Sequence, residues 1–159
     1  MQEVAMTKLR VPYHQQNRDY TCGPVCLRMV LEYYGVHEDE ISLSMLCGTT
    51  IAGTSLAEIA RAAEHVGFHA DWKIHATQAE IRNALQQNRP VITMVDANVL
   101  HELETPTALG HTIVVFAITK EGVHYHDPEE GRDQVVSLSR FSASWQNMRK
   151  GMVTIWQKN

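Results

Sequence analysis

Long hydrophobic runs are missing from this sequence of 159 residues. The longest apolar stretches, near residues 91–95 and 113–118, are far shorter than the roughly 20 residues that a membrane-spanning helix needs. The first ten residues, MQEVAMTKLR, contain no apolar core of the kind found in secretory signals. We therefore expect a cytoplasmic protein without a membrane span.

Positive charge is also scarce, because 18 acidic residues outnumber 14 lysines and arginines and the formal net charge is −4. This balance gives no electrostatic basis for binding nucleic acid or an anionic membrane. The three cysteines cannot all pair within the chain, which favours free thiols in a reducing compartment. Since internal repeats and Gly/Ser-rich linkers are missing too, we expect one domain spanning residues 1–159.

Helical patterns dominate the first half of the chain. They predict four helices, at residues 22–34, 38–48, 55–67 and 77–87. The first is apolar on nearly every side and is expected to be buried. The third has the clearest end signals, with Ser55 as the N-cap, Glu58 three residues later and Gly67 as the stop.

Strand patterns replace the helical ones in the second half. They predict five strands, at residues 90–95, 111–119, 123–127, 134–138 and 152–156. Helices followed by antiparallel strands favour an α+β fold over a wound parallel sheet. Residues 96–110 are predicted as a long connection, a length typical of functional loops. Its acidic residues, Glu102 and Glu104, could attract a basic substrate, although exposed loops are acidic for many reasons.

Cys22 stands at the predicted start of the first helix. Thr21 can cap this helix, and Pro24 is tolerated in the first turn because its missing N–H would be unpaired anyway. The partial positive charge of a helix N-terminus favours a thiolate over a thiol. Gly23 adds no bulk beside the sulfur, so a substrate backbone could approach it closely.

A structural interpretation of the cysteines competes with the catalytic one. Taken alone, Cys22 is more typical of a buried core thiol than of a nucleophile. Cys26 lies one turn deeper on the helix and is predicted to be a packing residue, as is Cys47 beside a helix end. A nucleophile also needs a base and a residue that orients the base.

His111 and Asp127 are the candidates for these two roles. They open one predicted strand and close the next, so the hairpin between the strands decides whether they share a face. An odd loop of three or five residues would place them within roughly 5–8 Å, whereas a two-residue loop would turn Asp127 to the wrong face. Alternatively, His111 is a core histidine and Asp127, before Pro128, only caps a turn.

Together these segments resemble a known family. The run QNRDYTCGPVCLRMVLEYYG at residues 16–35, followed by GHTIVVFAI and HDPEEG, is similar to the bacteriocin-processing cysteine peptidases. These are papain-like domains that cut leader peptides after a double glycine and are often fused to an ABC exporter. The similarity covers most of the chain, and its Cys-Gly-Pro and Tyr-Tyr-Gly contexts are specific.

The resemblance implies a fold and a role for each candidate residue. The fold is a papain-like α+β fold, in which the catalytic cysteine begins a buried helix packed on a C-terminal antiparallel sheet. Cys22 is then the nucleophile, His111 the general base and later acid, and Asp127 the residue that orients His111. The Gln16 amide, with the Cys22 backbone N–H, stabilises the oxyanion; Gln15 is the alternative for that role.

Three features depart from the family pattern. Many relatives carry an acidic residue immediately before the cysteine, whereas Thr21 stands here and Asp19 lies further upstream. No exporter segment follows, which favours a stand-alone domain with a separately encoded ABC exporter as its partner. The chain contains no Gly-Gly pair and so offers no self-processing site of the family type. The identity of the substrate therefore stays open.

Three functional hypotheses follow, of which a cysteine peptidase acting on a peptide or protein substrate is the first. The second keeps the triad for deamidation, isopeptide cleavage or acyl transfer, since each passes through a thioester. The third is a module that binds a leader peptide without cutting it, against which the presence of both Cys22 and His111 argues. No cofactor or metal is expected, because His124 and His126 lack a third ligand and are predicted to lie on a solvated strand face.

Overall fold

An antiparallel sheet of six strands forms the centre of the structure, a computed structural model that describes residues 8–103, 105–107 and 109–159. The strands are β1 (Phe68–Lys73), β2 (Val91–Asp96), β3 (Gly110–Thr119), β4 (Gly122–Asp127), β5 (Gly131–Val136) and β6 (Met152–Gln157). Their order across the sheet is β1-β6-β2-β3-β4-β5. Because β2 and β3 are buried along almost their whole length, both faces of the middle of the sheet are covered.

Helices pack around this sheet. In the part of the chain that the structure describes they are α1 (Cys22–Tyr33), α2 (Glu40–Cys47), α3 (Leu56–Val66), α4 (Gln78–Gln86), α5 (Ala97–Leu100) and α6 (Leu138–Gln146). None of them is long and apolar enough to cross a membrane. The predicted α+β fold with an antiparallel sheet is confirmed, although helices and strands are more interleaved along the chain than predicted.

The predicted end signals of α3 and α4 are present in the structure. Ser55 accepts a hydrogen bond from the Glu58 N–H and the Glu58 carboxylate accepts one from the Ser55 N–H, which closes a capping box at α3. Thr77 and Glu80 do the same for α4. Gly67 ends α3 with a φ of +112°, a conformation that glycine adopts without strain.

Burial of α1 fixes the position of its first residue. Eight of its twelve residues are buried, namely Gly23, Pro24, Val25, Cys26, Leu27, Met29, Val30 and Leu31. Full burial of a large apolar side chain contributes about 1.5–3 kcal/mol, so the helix is held firmly. α1 packs against β3, and its first residue lines the same cleft as Gly110, His111 and Thr112 at the start of that strand.

Three elements were not predicted from the sequence. β1 is a strand at the sheet edge with mostly exposed side chains, so its apolar pattern is weak. The strand predicted at 134–138 ends at Val136, because Ser137 accepts a hydrogen bond from the Arg140 N–H and starts α6. Within the predicted 96–110 connection, Asp96 caps the single turn α5.

The 96–110 connection contains the two acidic residues that were considered as attracting a basic substrate, Glu102 and Glu104. Glu102 pairs with Arg140 of α6, with 2.7 Å between the guanidinium nitrogen and the carboxylate oxygen. Its charge is therefore partly balanced by the protein itself. Glu104 lies outside the described residues.

Candidate active site

Cys22 is the first residue of α1, as predicted, and its side chain is half-buried. Thr21 occupies the N-cap position, but the prediction that it caps the helix is wrong. Its hydroxyl donates instead to the Arg18 carbonyl oxygen at 2.9 Å, because the preceding loop turns back there. The helix N-terminus is consequently left without a side-chain cap beside the Cys22 thiol.

Gly23 lets the start of α1 pack closely against its neighbours. A Cβ atom at this position would lie 3.0 Å from the Thr54 Cβ and 3.3 Å from the Ile59 Cδ1. The glycine therefore lets the start of α1 lie against α3 and the loop that precedes it. That its small size also leaves room for a substrate backbone stays a prediction.

His111 and Asp127 form a short, buried hydrogen bond. The His111 Nε2 donates to the Asp127 Oδ1 at 2.7 Å, and the Asp127 side chain is fully buried. The same oxygen accepts the backbone N–H groups of Glu129 and Glu130 at 2.9 and 3.2 Å. Asp127 thus caps the following turn and also contacts His111. The interpretation as a turn cap and the interpretation as the partner of His111 are therefore compatible.

The hairpin that joins these two residues differs from the prediction. Thr119 pairs directly with Gly122, so the loop has two residues instead of the expected odd number. Phe116 forms a β-bulge, because Val115 pairs with Tyr125 while Ala117 pairs with the adjacent residue of β4. A bulge adds one residue to one strand, which restores the face that the even loop would have reversed.

Charge interactions favour an ion pair between Cys22 and His111. Burial alone would raise the pKa of Cys22, but hydrogen bonding to His111 and its charge outweigh burial and lower it. Burial alone would lower the pKa of His111, but hydrogen bonds to Asp127 and Cys22 raise it to about 10. Nε2 is the ring nitrogen bonded to Asp127, so Nδ1 is the one left for the thiol.

Asp127 is the anion that supports this arrangement. Burial alone would raise its pKa, but the hydrogen bond from His111 and the positive charge of that ring lower it. The carboxylate therefore stays ionised beside the imidazolium. Its effect on His111 is the one expected of a residue that orients a catalytic base and stabilises its charged form.

Gln16 lies beside the turn that follows Asp127. Its backbone N–H donates to the Pro128 carbonyl oxygen at 2.7 Å, and its side-chain Nε2 donates to the Arg18 carbonyl oxygen at 2.8 Å. Its side chain is partly buried, whereas Gln15 is exposed. The amide is thus fixed within the loop that leads to Cys22, and its role at the oxyanion stays a prediction.

A cleft of about 630 Å³ opens over Cys22 and His111. Apolar side chains line much of it, including Ile51, Met94 and Leu109. Ile51 and Leu109 are 87% and 77% exposed, so the cleft offers apolar surface to a ligand.

Two further residues near the candidate triad were not predicted. Thr112 follows His111, is buried, and helps to lower the pKa of Cys22. His101 follows α5, and its Nε2 lies 3.5 Å from the Asp127 Oδ2. Sequence reasoning missed both, because one resembles an ordinary strand residue and the other lies in an apparently irregular loop.

The remaining candidate cysteines and histidines are buried away from the cleft. Cys26 and Cys47 are fully buried in the core, as predicted, and all three cysteines are free. His124 and His126 are also buried, so the expected solvated strand face is wrong. His126 donates from Nε2 to the Val11 carbonyl oxygen at 2.7 Å. The described residues contain no group of three or more His, Cys, Asp or Glu side chains suited to a metal.

Comparison with known proteins identifies the family. The model of the peptidase C39 family matches residues 10–158, almost the whole chain. The chain belongs to the peptidase C39 family. Membership and structural neighbours together indicate a peptidase, in agreement with the resemblance seen in the sequence.

Two curated relatives are named as processing and transport proteins. The lactococcin-A transport/processing ATP-binding protein LcnC of Lactococcus lactis is 33% identical over 131 residues, which is 82% of this chain but 16% of that protein. The lactococcin-G-processing and transport ATP-binding protein LagD of the same species is 26% identical over 86% of this chain and 18% of its own length. The chain thus spans under a fifth of these two curated relatives.

Solved C39 structures share the fold. The double-glycine-motif protease of an AMS/PCAT transporter, solved with its leader peptide, superposes with a TM-score of 0.73 at 19% identity, covering 98% of this chain and 97% of that chain. A C39-like peptidase of Bacillus anthracis gives a TM-score of 0.80 at 16% identity, covering 96% and 99%. The papain-like fold class is therefore confirmed.

The ion pair predicts how alkylation of Cys22 depends on pH. Because the pKa of Cys22 is lowered, its reaction with iodoacetamide should remain fast below the ordinary thiol pKa of about 8.5. His111→Ala removes the cation and should raise the midpoint of the rate profile. Rates at Cys22 are measured by peptide mass mapping across the pH range. A midpoint at the ordinary thiol value in the unmodified protein would show that His111 does not activate this thiol.

Proposed function

We propose that this chain is a cysteine peptidase that hydrolyses the bond after a Gly-Gly pair in a leader peptide. The observation that carries this proposal is that Cys22 and His111 line one cleft, with His111 hydrogen-bonded at 2.7 Å to the buried Asp127. The lowered pKa of Cys22 and the raised pKa of His111 agree with a thiolate and an imidazolium there. Membership of the C39 family and a double-glycine-motif protease among the structural neighbours support the choice of substrate.

The proposed reaction uses the proton that His111 already holds. The Cys22 thiolate attacks the carbonyl carbon of the glycine before the cut bond, which gives a tetrahedral oxyanion. As the carbon–nitrogen bond breaks, His111 gives its proton to the leaving amine and a thioester remains on Cys22. His111 then takes a proton from water, whose hydroxide attacks the thioester and releases the leader. The protonated imidazole and the thiolate are restored.

Asp127 keeps His111 in position throughout this cycle. Its short hydrogen bond to Nε2 leaves Nδ1 directed to the sulfur, so one ring nitrogen serves the chemistry and the other is anchored. The carboxylate also stabilises the imidazolium that the first step requires. Deep burial removes competing water from this contact, which strengthens it.

Gln16 is proposed to donate its amide N–H to the oxyanion, together with the Cys22 backbone N–H. Removing one such donor typically lowers the rate about 10²–10³-fold. We therefore expect Gln16→Ala to lower kcat by that factor with little change in KM, measured with a Gly-Gly leader peptide. Gln15→Ala, which alters an exposed neighbouring amide, is the matched control and should retain activity. The reverse order of effects would assign the role to Gln15.

We also propose that the leader belongs to a peptide exported by an ABC exporter. Relatives named as transport/processing ATP-binding proteins support this partner. Their names join processing with transport, and the present chain matches under a fifth of their length.

Mass analysis of a synthetic leader peptide tests the proposal against its alternatives. Hydrolysis gives two fragments whose masses sum to that of the peptide plus one water. Deamidation would leave one chain with a gain of about one dalton, and acyl transfer would add the mass of the accepting amine. Binding without turnover, with affinity unchanged in Cys22→Ala, would instead favour a leader-binding module. Any of these last three results overturns the proposed reaction.

A further inference from the structure

Asp127 presents two carboxylate oxygens, and only one is used in the reaction just described. Oδ1 accepts hydrogen bonds from His111 and from two backbone N–H groups. Oδ2 is buried and has no hydrogen-bond partner among the described residues. A buried carboxylate oxygen without a hydrogen-bond donor destabilises the charged form of the group, so a partner is expected for this atom.

His101 is the side chain that faces this oxygen. Its Nε2 lies 3.5 Å from Oδ2 and is itself buried without a hydrogen-bond partner in the described part of the chain. An N–H donor and a carboxylate acceptor thus stand opposite each other, slightly beyond the usual hydrogen-bond length of about 2.9 Å. A movement of about half an ångström closes the contact and satisfies both atoms at once.

Contacts on both sides of His101 fix the segment to which it belongs. Before it, Asp96 accepts the N–H groups of Asn98 and Val99 at 3.0 and 3.2 Å, which fixes α5. After it, the ion pair of Glu102 with Arg140 holds the chain against α6. Arg140 also donates to the Val99 carbonyl oxygen at 3.2 Å. The approach of His101 to Asp127 is therefore built into the packing of the loop.

We infer that His101 is a positioning residue, whose Nε2–H donates to Asp127 Oδ2 and holds the carboxylate with Oδ1 toward His111. Asp127 then lies between two imidazole rings, one from the loop after β2 and one from the start of β3. This inference rests on the proposed function, because it concerns how the proposed catalytic pair is supported. Without the donor, the charged form of Asp127 is less stable and gives His111 weaker support.

Four titratable or charged groups lie near His101. Asp127 faces it from β4, and His111 lies on the other side of that carboxylate. On its own segment and on α6, Glu102 and Arg140 are paired with each other. A variant at Glu102 therefore loosens the same loop without touching Asp127, and it serves as the structural control.

Iodoacetamide is the probe, because its reaction with Cys22 reports the ion pair without requiring a peptide substrate. We expect His101→Leu to lower the alkylation rate of Cys22 near pH 6 by about tenfold, the order of effect of one hydrogen bond to a charged group. His101→Gln keeps a donor at a similar reach and should restore most of the rate. Glu102→Gln should change it little.

A double-mutant cycle with Asp127→Asn separates positioning from a structural role. If His101 acts through Asp127, His101→Leu should cause no further loss in the Asp127→Asn background. Additive losses, or equal rates for the single leucine variant and the unmodified protein, overturn the inference. Should the leucine variant not fold, His101→Asn replaces it, since its shorter side chain does not reach Oδ2.

The outcomes also distinguish this inference from the proposed function. If Cys22 of the unmodified protein reacts near pH 6 as slowly as an ordinary thiol, the proposed catalytic pair itself is contradicted. If Cys22 reacts fast and His101→Leu leaves the rate unchanged, only the role of His101 is contradicted. If the rate is fast, falls in His101→Leu and recovers in His101→Gln, both are supported.

Discussion

Replacing Cys22 with alanine is expected to abolish peptide turnover, with a loss of at least about 10⁴-fold. The reason is that no other thiol can reach the cleft. Burial raises the pKa of Cys26 well above its ordinary value, and burial together with Glu58 raises the pKa of Cys47 to about 12. Neither side chain has an exposed surface. Turnover of a Gly-Gly leader peptide, followed by mass spectrometry, is the measurement.

Cys47→Ala is the matched control for this experiment. It removes a cysteine of the same chain from a core position away from the cleft. Some loss of stability is expected because a buried group is deleted, but kcat at a temperature well below unfolding should be retained. Residual turnover in Cys22→Ala comparable to that of the control would show that the chemistry does not pass through Cys22.

Replacing His111 with alanine is expected to lower kcat by about 10³–10⁴-fold while leaving Cys22 in place. His111 supplies the proton for the leaving amine, and its charge lowers the pKa of the thiol. Both contributions vanish together in this variant. The effect on KM should be small, since the cleft is lined largely by other side chains.

His126→Ala controls for the loss of a buried histidine as such. This ring also lies in β4 and is buried, but it hydrogen-bonds to the Val11 carbonyl oxygen and to the Asp133 N–H. Its removal should lower the free energy of unfolding rather than kcat. If His126→Ala reduced kcat as strongly as His111→Ala, the His111 effect would be structural and the proposed role would be lost.

Local signals in the sequence were sufficient to predict much of this architecture. The capping boxes at Ser55 and Thr77 and the stop at Gly67 depend only on neighbouring residues, and they act as predicted. The position of Cys22 at the start of a buried apolar helix follows from the pattern of residues 22–34. Such features need no information from distant parts of the chain.

Features set by tertiary pairing were missed or wrongly predicted. The Phe116 bulge is invisible in a sequence, because it is defined by the register of β3 against β4. The weak pattern of β1 becomes a strand only by pairing with β6. His101 acquires its meaning from the buried oxygen of Asp127, which lies 26 positions away in sequence. In each case the decisive neighbour comes from another element.

A mechanism-based adduct tests the central claim most directly. A synthetic leader peptide that ends after Gly-Gly in a fluoromethyl ketone binds as a substrate and alkylates the thiol that attacks it. Intact-mass and peptide mapping should find one adduct, on Cys22, whose rate of formation falls at least about tenfold in His111→Ala. An adduct on Cys26 or Cys47, or a rate on Cys22 that does not depend on His111, would contradict the account.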